Sequence, residues 1–310
     1  MSKQERVLVI DALNMYFRAY IVNPALSLNG QPIGGIVGFF KILQKLARET
    51  SPDKIVICWD GPNGSQKRRK VVKEYKAGRK PIRLNRAIRN MTEDEEMENK
   101  IWQQTRLFEY LNHTPVIQTM LPSIEADDVI SYVVRSCPEF KGWQKVIVSS
   151  DKDFFQLCDD NTVLLRPIQK EVLNKKAILE KHNIHPENFA LARAIAGDKS
   201  DNLPGVPGVG LATVSKRFPF FANEDTVTIE QLEEYCANID SSLKVYESIV
   251  ENIDTVKLNY DMMQLYSPTM SAQSKMKVSS SIRDCYHDFN KTQIMKMMHQ
   301  DGFGATNWTT

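Results

Sequence analysis

Four short apolar runs mark the first half of the chain: Val7–Ile10, Ile55–Cys58, Val146–Val148 and Val163–Leu165. None alternates with polar residues, which is the pattern of strands covered on both faces, as in a parallel sheet. Between them, apolar positions recur at three- and four-residue spacing in Ile36–Ala47 and Ile101–Leu111, which predicts helices with one buried face. Strands alternating with helices predict an α/β fold with a mainly parallel central sheet over roughly the first 195 residues. The segment Thr162–Asn174 is expected to form a hairpin at the sheet's edge. From Glu187 the pattern turns helical, over Phe189–Ala196, Leu211–Arg217, Ile229–Ile239 and Leu243–Leu258. The expected division is therefore a body over 1–186 and a helical region over 187–310. The last forty residues are rich in Ser and Met and carry little pattern, and no internal repeat is present.

Composition narrows the class without naming it. The 310 residues are 42% apolar and 25% charged, ordinary for a soluble globule. A net charge of +2 gives no general attraction to polyanions, so any such role must come from local clusters. No apolar run approaches a membrane span, and the run before Asp11 is too short for a secretion signal. The five cysteines are scattered and odd in number, as expected of reduced thiols in a cytoplasmic, non-secreted protein. His182 and His185 lie close together but lack a third partner, so no zinc site is expected there.

The acids change the picture. Val7–Ile10 is followed by Asp11, Ile55–Cys58 by Trp59 and Asp60, and Val146–Val148 by Ser149, Ser150, Asp151, Lys152 and Asp153. One aspartate after a strand is ordinarily a cap or turn residue. Three strands delivering carboxylates to the edge where ligands of open parallel sheets bind is a different matter. Glu125, Asp127 and Asp128 open a further apolar helix pattern, and Asp198 and Asp201 repeat the three-residue spacing of Glu125 and Asp128, which places both members of each pair on one face. Converging carboxylates repel and take up protons unless cations hold them. An all-oxygen donor set favours magnesium or manganese over zinc, and a pair of such ions is suited to cutting phosphodiesters.

Two segments supply the complement. Gln66–Asn90 holds eleven Lys or Arg and one Glu, with Tyr75 among them; beside an acidic metal edge it suits a polyanion rather than a merely solvated face. The acidic stretch that follows, Thr92–Lys100, has no role legible in the sequence. Gly197–Gly210, GDKSDNLPGVPGVG, packs four glycines and two prolines behind two aspartates and leads into Leu211–Arg217. Gly205, Gly208 and Gly210 would let backbone approach a phosphate at the start of that helix.

VIDALNMYFRAY, CWDG with EYKAGRK, EADDVI, VSSDKDFFQL and GDKSDNLPGVPGVG together resemble the 5′-nuclease (flap endonuclease) family, as in the 5′-nuclease domain of bacterial DNA polymerase I and the bacteriophage enzymes. These motifs span Val9 to about Gly210, and Lys244–Leu265 resembles the family more loosely. The resemblance implies an α/β saddle with a helical arch over about 66–111 and a helix–three-turn–helix over about 190–217. It implies a two-metal, magnesium-dependent nuclease acting at 5′ ends and 5′ flaps of DNA, and on DNA/RNA hybrids, as a monomer. By the same resemblance Asp11, Asp60, Glu125, Asp127 and Asp128 serve the first metal. Asp151, Asp153, Asp198 and Asp201 serve the second, with Asp128 near both. Lys76 and Arg79 contact the scissile phosphate, Tyr75, Arg83 and Arg86 contact DNA, and backbone carbonyls around Val206 and Val209 hold potassium. Trp59 and Ala12 depart from the family's usual Phe and Gly without removing a carboxylate. No polymerase-like segment follows, as expected of a stand-alone enzyme. The rival expectations are a PIN-type ribonuclease, which shares acids on a parallel sheet, and a non-catalytic protein that binds branched DNA.

Overall fold

The computed structural model describes residues 4–285 and 288–304. Six strands form one sheet: β1 (Arg6–Asp11), β2 (Lys54–Trp59), β3 (Ile117–Met120), β4 (Gln144–Val148), β5 (Thr162–Arg166) and β6 (Glu171–Leu173). Their order is β3-β2-β1-β4-β5-β6, all parallel except the β5–β6 hairpin at the edge. The four expected strands lie inside β1, β2, β4 and β5, and the hairpin is where Thr162–Asn174 placed it. β3 escaped the sequence pattern because IQTM is a short edge strand with alternate residues buried, not an apolar run.

Alternate strand residues sort into two cores. Val7, Val9, Val56 and Cys58 pack toward helices Ala126–Arg135 and Pro186–Ala196. Leu8, Ile10 and Ile57 pack toward helices Ala12–Val22, Gly34–Thr50 and Glu93–Leu111. Both faces are covered, so the strands read as unbroken apolar runs. The first core also crosses residue 186: Phe155 meets Phe189 edge to face at 5.0 Å.

Register carries the acids to one level. Ile10 lies opposite Ile57 on one side and Val148 on the other, and Asp11 lies opposite Cys58. The next residues along β2 and β4 lead to Asp60 and Asp151, so three neighbouring strands, about 4.8 Å apart, release carboxylates at the same edge. Gly61 follows Asp60 because a Cβ there would stand 1.7 Å from the Leu121 carbonyl oxygen.

The basic segment is not a continuous helix. It is helical over Gln66–Val71, and residues 72–92 are turns and extended chain until helix Glu93–Leu111 begins. Pro81, the positive φ of Lys76 and Gly78, and a run of like charges all oppose a helix there. The acidic stretch without a sequence-derived role is the start of that next helix. Thr92 and Glu95 form a capping box, and Glu93, Asp94, Glu95 and Glu96 occupy the positive end of the dipole. The expected helix Leu243–Leu258 divides at Asn252 into Lys244–Glu251 and Ile253–Met263. The tail adds helices Ala272–Asp284 and Lys291–Gln300. Among the described residues no helix is long and apolar enough to cross a membrane.

Candidate active site

A cavity of about 570 Å³ opens at the carboxyl ends of β1, β2 and β4. Seven of the nine expected carboxylates line it: Asp11, Asp60, Glu125, Asp127, Asp151, Asp153 and Asp201. Lys76, Arg79, Tyr75 and Arg68 line it too, so the basic segment folds back over the acids. Asp128 and Asp198 are not among the lining residues.

The carboxylates fall into two groups. Among the described residues, Asp11, Asp60, Asp127 and Asp151 have no cation within ion-pair distance. Asp11 ends β1 and caps the next helix through the Asn14 N–H at 3.2 Å, and it accepts from Ser149 Oγ at 2.9 Å. Asp60 accepts from the Ala126 N–H at 2.8 Å, and Asp151 from the Asp153 N–H at 2.9 Å. Burial, reinforced by Asp60 and Asp151, pushes the Asp11 carboxyl up to about 7. Burial likewise raises Asp60, and raises Asp127 well above the carboxylate range with Asp151, Asp11 and Asp60 adding to it.

The second group carries its counter-ions. Arg68 bonds Asp128 through both guanidinium nitrogens, at 2.9 and 3.1 Å, and also bonds Glu125. Lys76 Nζ donates to Glu125 at 2.5 Å. Burial alone would raise Glu125, but Lys76 and Arg68 outweigh it and hold it low. Arg193, on helix Pro186–Ala196, bridges Asp153 at 2.9 Å and Asp198. Asp198 is held low, burial being offset by Ser200 and Arg193, whereas Asp153 stays up at about 7 through burial and Asp151 despite Arg193. Arg79 bonds Asp201. Among the described residues no three His, Cys, Asp or Glu side chains converge closely enough to ligate one ion as they stand.

Other expected site residues fall in varied places. Tyr75 is buried at 4% exposure against Leu203, Met262 and Met263, where it anchors the basic segment at the wall of the cavity. Arg83 is neutralised by Glu93 and Glu96, while Arg86 is exposed with no ion partner. Gly205 is required by the ribbon pairing Gly197–Asp198 with Leu203–Pro204, since a Cβ there would stand 2.2 Å from the Ala196 carbonyl oxygen. Gly208 and Gly210 have open space beside them, in the turn before the seven-residue helix Leu211–Arg217. The Val206 carbonyl accepts from the Val209 N–H at 3.0 Å. His182 packs among Phe155 and Phe189, and His185 caps helix Pro186–Ala196.

Sequence reasoning missed three participants, Arg68, Arg193 and Asn14. Arg68 stood undistinguished among the cations of the basic segment and Arg193 in an ordinary helical pattern; only their acidic partners across the fold mark them. Asn14 lines the cavity and accepts from the Ser150 N–H at 3.0 Å, holding the β4 loop to the first helix. Arg18, one turn further on, has a buried Nη1 with no hydrogen-bond partner.

Comparison with known proteins follows the same outline. The family model described as 5′-3′ exonuclease, N-terminal resolvase-like domain, matches residues 6–183. A 5′-3′ exonuclease of Buchnera aphidicola subsp. Schizaphis graminum is 31% identical over 225 residues, 72% of each chain. The DNA polymerase I of Bacillus subtilis is 27% identical over 312 residues, 98% of this chain but 32% of that longer enzyme. The bacteriophage T5 D15 flap endonuclease, solved with DNA and metal ions, shares the fold with a TM-score of 0.67 at 19% identity, over 96% of this chain and 98% of that one.

Proposed function

Because the chain belongs to the 5′-3′ exonuclease family, we propose that it is a structure-specific nuclease hydrolysing phosphodiesters at 5′ ends and 5′ flaps of DNA. The observation that carries this reading is the pairing of a buried carboxylate bed with Lys76 and Arg79 across one cavity. The donor set fits hard divalent ions, since Asp11, Asp60, Asp127 and Asp151 offer only oxygens and, among the described residues, none of them forms a direct ion pair, Lys76 acting on Asp60 and Asp127 only at longer range. Asp153, Asp198 and Asp201 would hold a second ion once Arg193 and Arg79 give way; Glu125 would complete the first. When bound, magnesium or manganese supplies Lewis acidity toward the phosphoryl group.

The chain's own groups do the rest. Asp127 and Glu125 outweigh burial and keep the Lys76 ammonium charged, ready to meet a phosphate oxygen. Arg79 offers a planar fork to the same anion. Arg86 and the open turn at Gly208 and Gly210 suit the duplex backbone on either side. A potassium ion at the Val206 and Val209 carbonyls, action on DNA/RNA hybrids, a monomeric state and a division near residue 186 belong to the same reading. The test is label release from a 5′-flap DNA with magnesium, without it, and with single-stranded RNA in place of the flap. Magnesium-dependent flap cleavage is expected; cleavage of RNA alone would overturn the reading in favour of a ribonuclease.

A further inference from the structure

The loop 199–202 closes the short ribbon Gly197–Asp198 with Leu203–Pro204, and its last residue, Asn202, has a left-handed backbone at φ 57°. Asparagine tolerates that conformation, and glycine would serve the turn equally well. The side chain does something the turn does not need. Its Nδ2 donates to two carbonyls of the basic segment, Glu74 at 2.8 Å and Ala77 at 2.6 Å. Those carbonyls bracket Lys76, itself left-handed at φ 56°. A lysine holds that conformation only where its surroundings over-determine it. Here the Lys76 N–H also donates to the Asp201 carbonyl at 3.1 Å, and Tyr75 is buried against Leu203.

We propose that Asn202 is a positioning residue whose side-chain amide latches the base of the basic arch to the loop carrying Asp198 and Asp201, and thereby sets Lys76 over the carboxylates. The inference rests on the nuclease reading of Lys76 given above. The two amide hydrogens of asparagine match two acceptors, a demand that no serine, aspartate or glycine meets. Arg79 has its own tie, through Nε to the Ser200 carbonyl at 3.2 Å, so the latch chiefly places Lys76. A latch joining two segments so far apart in the chain makes the placing of the phosphate contact depend on the folding of the aspartate loop.

The test compares Asn202→Gly, which keeps the left-handed turn and removes the amide, with Asn202→Asp, which keeps the shape and turns acceptors toward acceptors. Amide hydrogen exchange in metal-free protein reads the latch directly: exchange at Lys76 is expected to rise about tenfold or more in both variants. Single-turnover cleavage of a 5′-flap DNA is expected to slow by about 10–100-fold, the cost of a small misplacement, with flap affinity in calcium held within about threefold. Because Asn202 acts through Lys76, Asn202→Gly in a Lys76→Ala background should slow the reaction by less than about threefold further. Unchanged exchange, additive rate losses, or affinity falling in step with rate would each overturn the latch. If Lys76→Ala cleaves like wild type, it is the role of Lys76 that fails, and the exchange measurement still decides whether Asn202 holds the segment.

Discussion

Among the described residues, Asp11, Asp60, Asp127 and Asp151 have no protein cation at ion-pair distance, whereas Glu125, Asp128, Asp153, Asp198 and Asp201 each hold an Arg or Lys. Asp127 and Asp128 are chain neighbours, yet one faces the cavity and the other is clasped by Arg68. Where the protein provides its own counter-ion, the acid is part of the scaffold or is held in reserve. Where it does not, the fold carries a buried repulsion whose relief must come from outside. Such perturbed groups mark functional sites more often than structural ones.

The sharpest way to break this contrast is Asp127→Asn. It should lower magnesium-dependent turnover by about 10³-fold or more, since several kcal/mol of charge stabilisation depend on the bed. It should also raise the melting temperature of the metal-free protein by removing a repelled charge. A melting temperature that falls would mean that the bed is already compensated.

Arg68→Ala attacks the other side. It leaves Glu125 and Asp128, both under 5% exposed, without their shared guanidinium, and should cost about 3–5 kcal/mol in urea unfolding. A loss under about 1 kcal/mol would show that Asp128 needs no partner.

Lys76 stands between the groups. Lys76→Ala should slow single-turnover flap cleavage by about 10²–10³-fold, the typical loss for one donor that acts in the transition state. Flap affinity in calcium should change less than about tenfold. Lys73→Ala, at an exposed position without ion partners, is the control and should leave the rate almost unchanged.

With pH the two groups should overlap, because Asp153 rises with Asp11 in spite of its Arg193 partner. Asp11 and Asp153 rise to about 7 in the folded, metal-free protein, above their unfolded value near 3.8. The folded state therefore binds more protons between those values, and its stability falls as pH rises from about 4 to 7. Urea midpoints in chelator should show that decline, and saturating magnesium should remove it. A flat profile in chelator would contradict the burial-driven shifts.

The smallest effect lies on the arch. Arg86→Ala and Arg89→Ala, both exposed and unpaired, should each reduce the log–log salt slope of duplex binding by about 0.7–0.9 if they meet phosphates. Arg83→Ala, already satisfied by Glu93 and Glu96, should reduce it less. Equal effects would place all three on a uniformly solvated face.

Much of this arrangement could be read along the chain. Unbroken apolar runs meant strands covered on both faces, and an acid after three of the four runs meant a ligand edge. Both are local in sequence, as are the capping residues and the glycine turn. β3 was not legible because its fit depends on one buried face beside β2. Neither was the break in the arch, where Lys76 takes a left-handed conformation imposed by contacts from the other half of the chain.

The identity of the nine carboxylates, and the emergence of Asp11, Asp60 and Asp151 at one sheet edge, were legible in the sequence, because strand period and register leave those three no other level at which to emerge. Which of them are neutralised was decided only by tertiary structure. Arg68 reaches Asp128, Arg193 reaches Asp153 and Arg79 reaches Asp201 across long stretches of chain, and burial sets the proton affinity of those left over. Charge pairing and desolvation act through space, and no spacing along the chain encodes either.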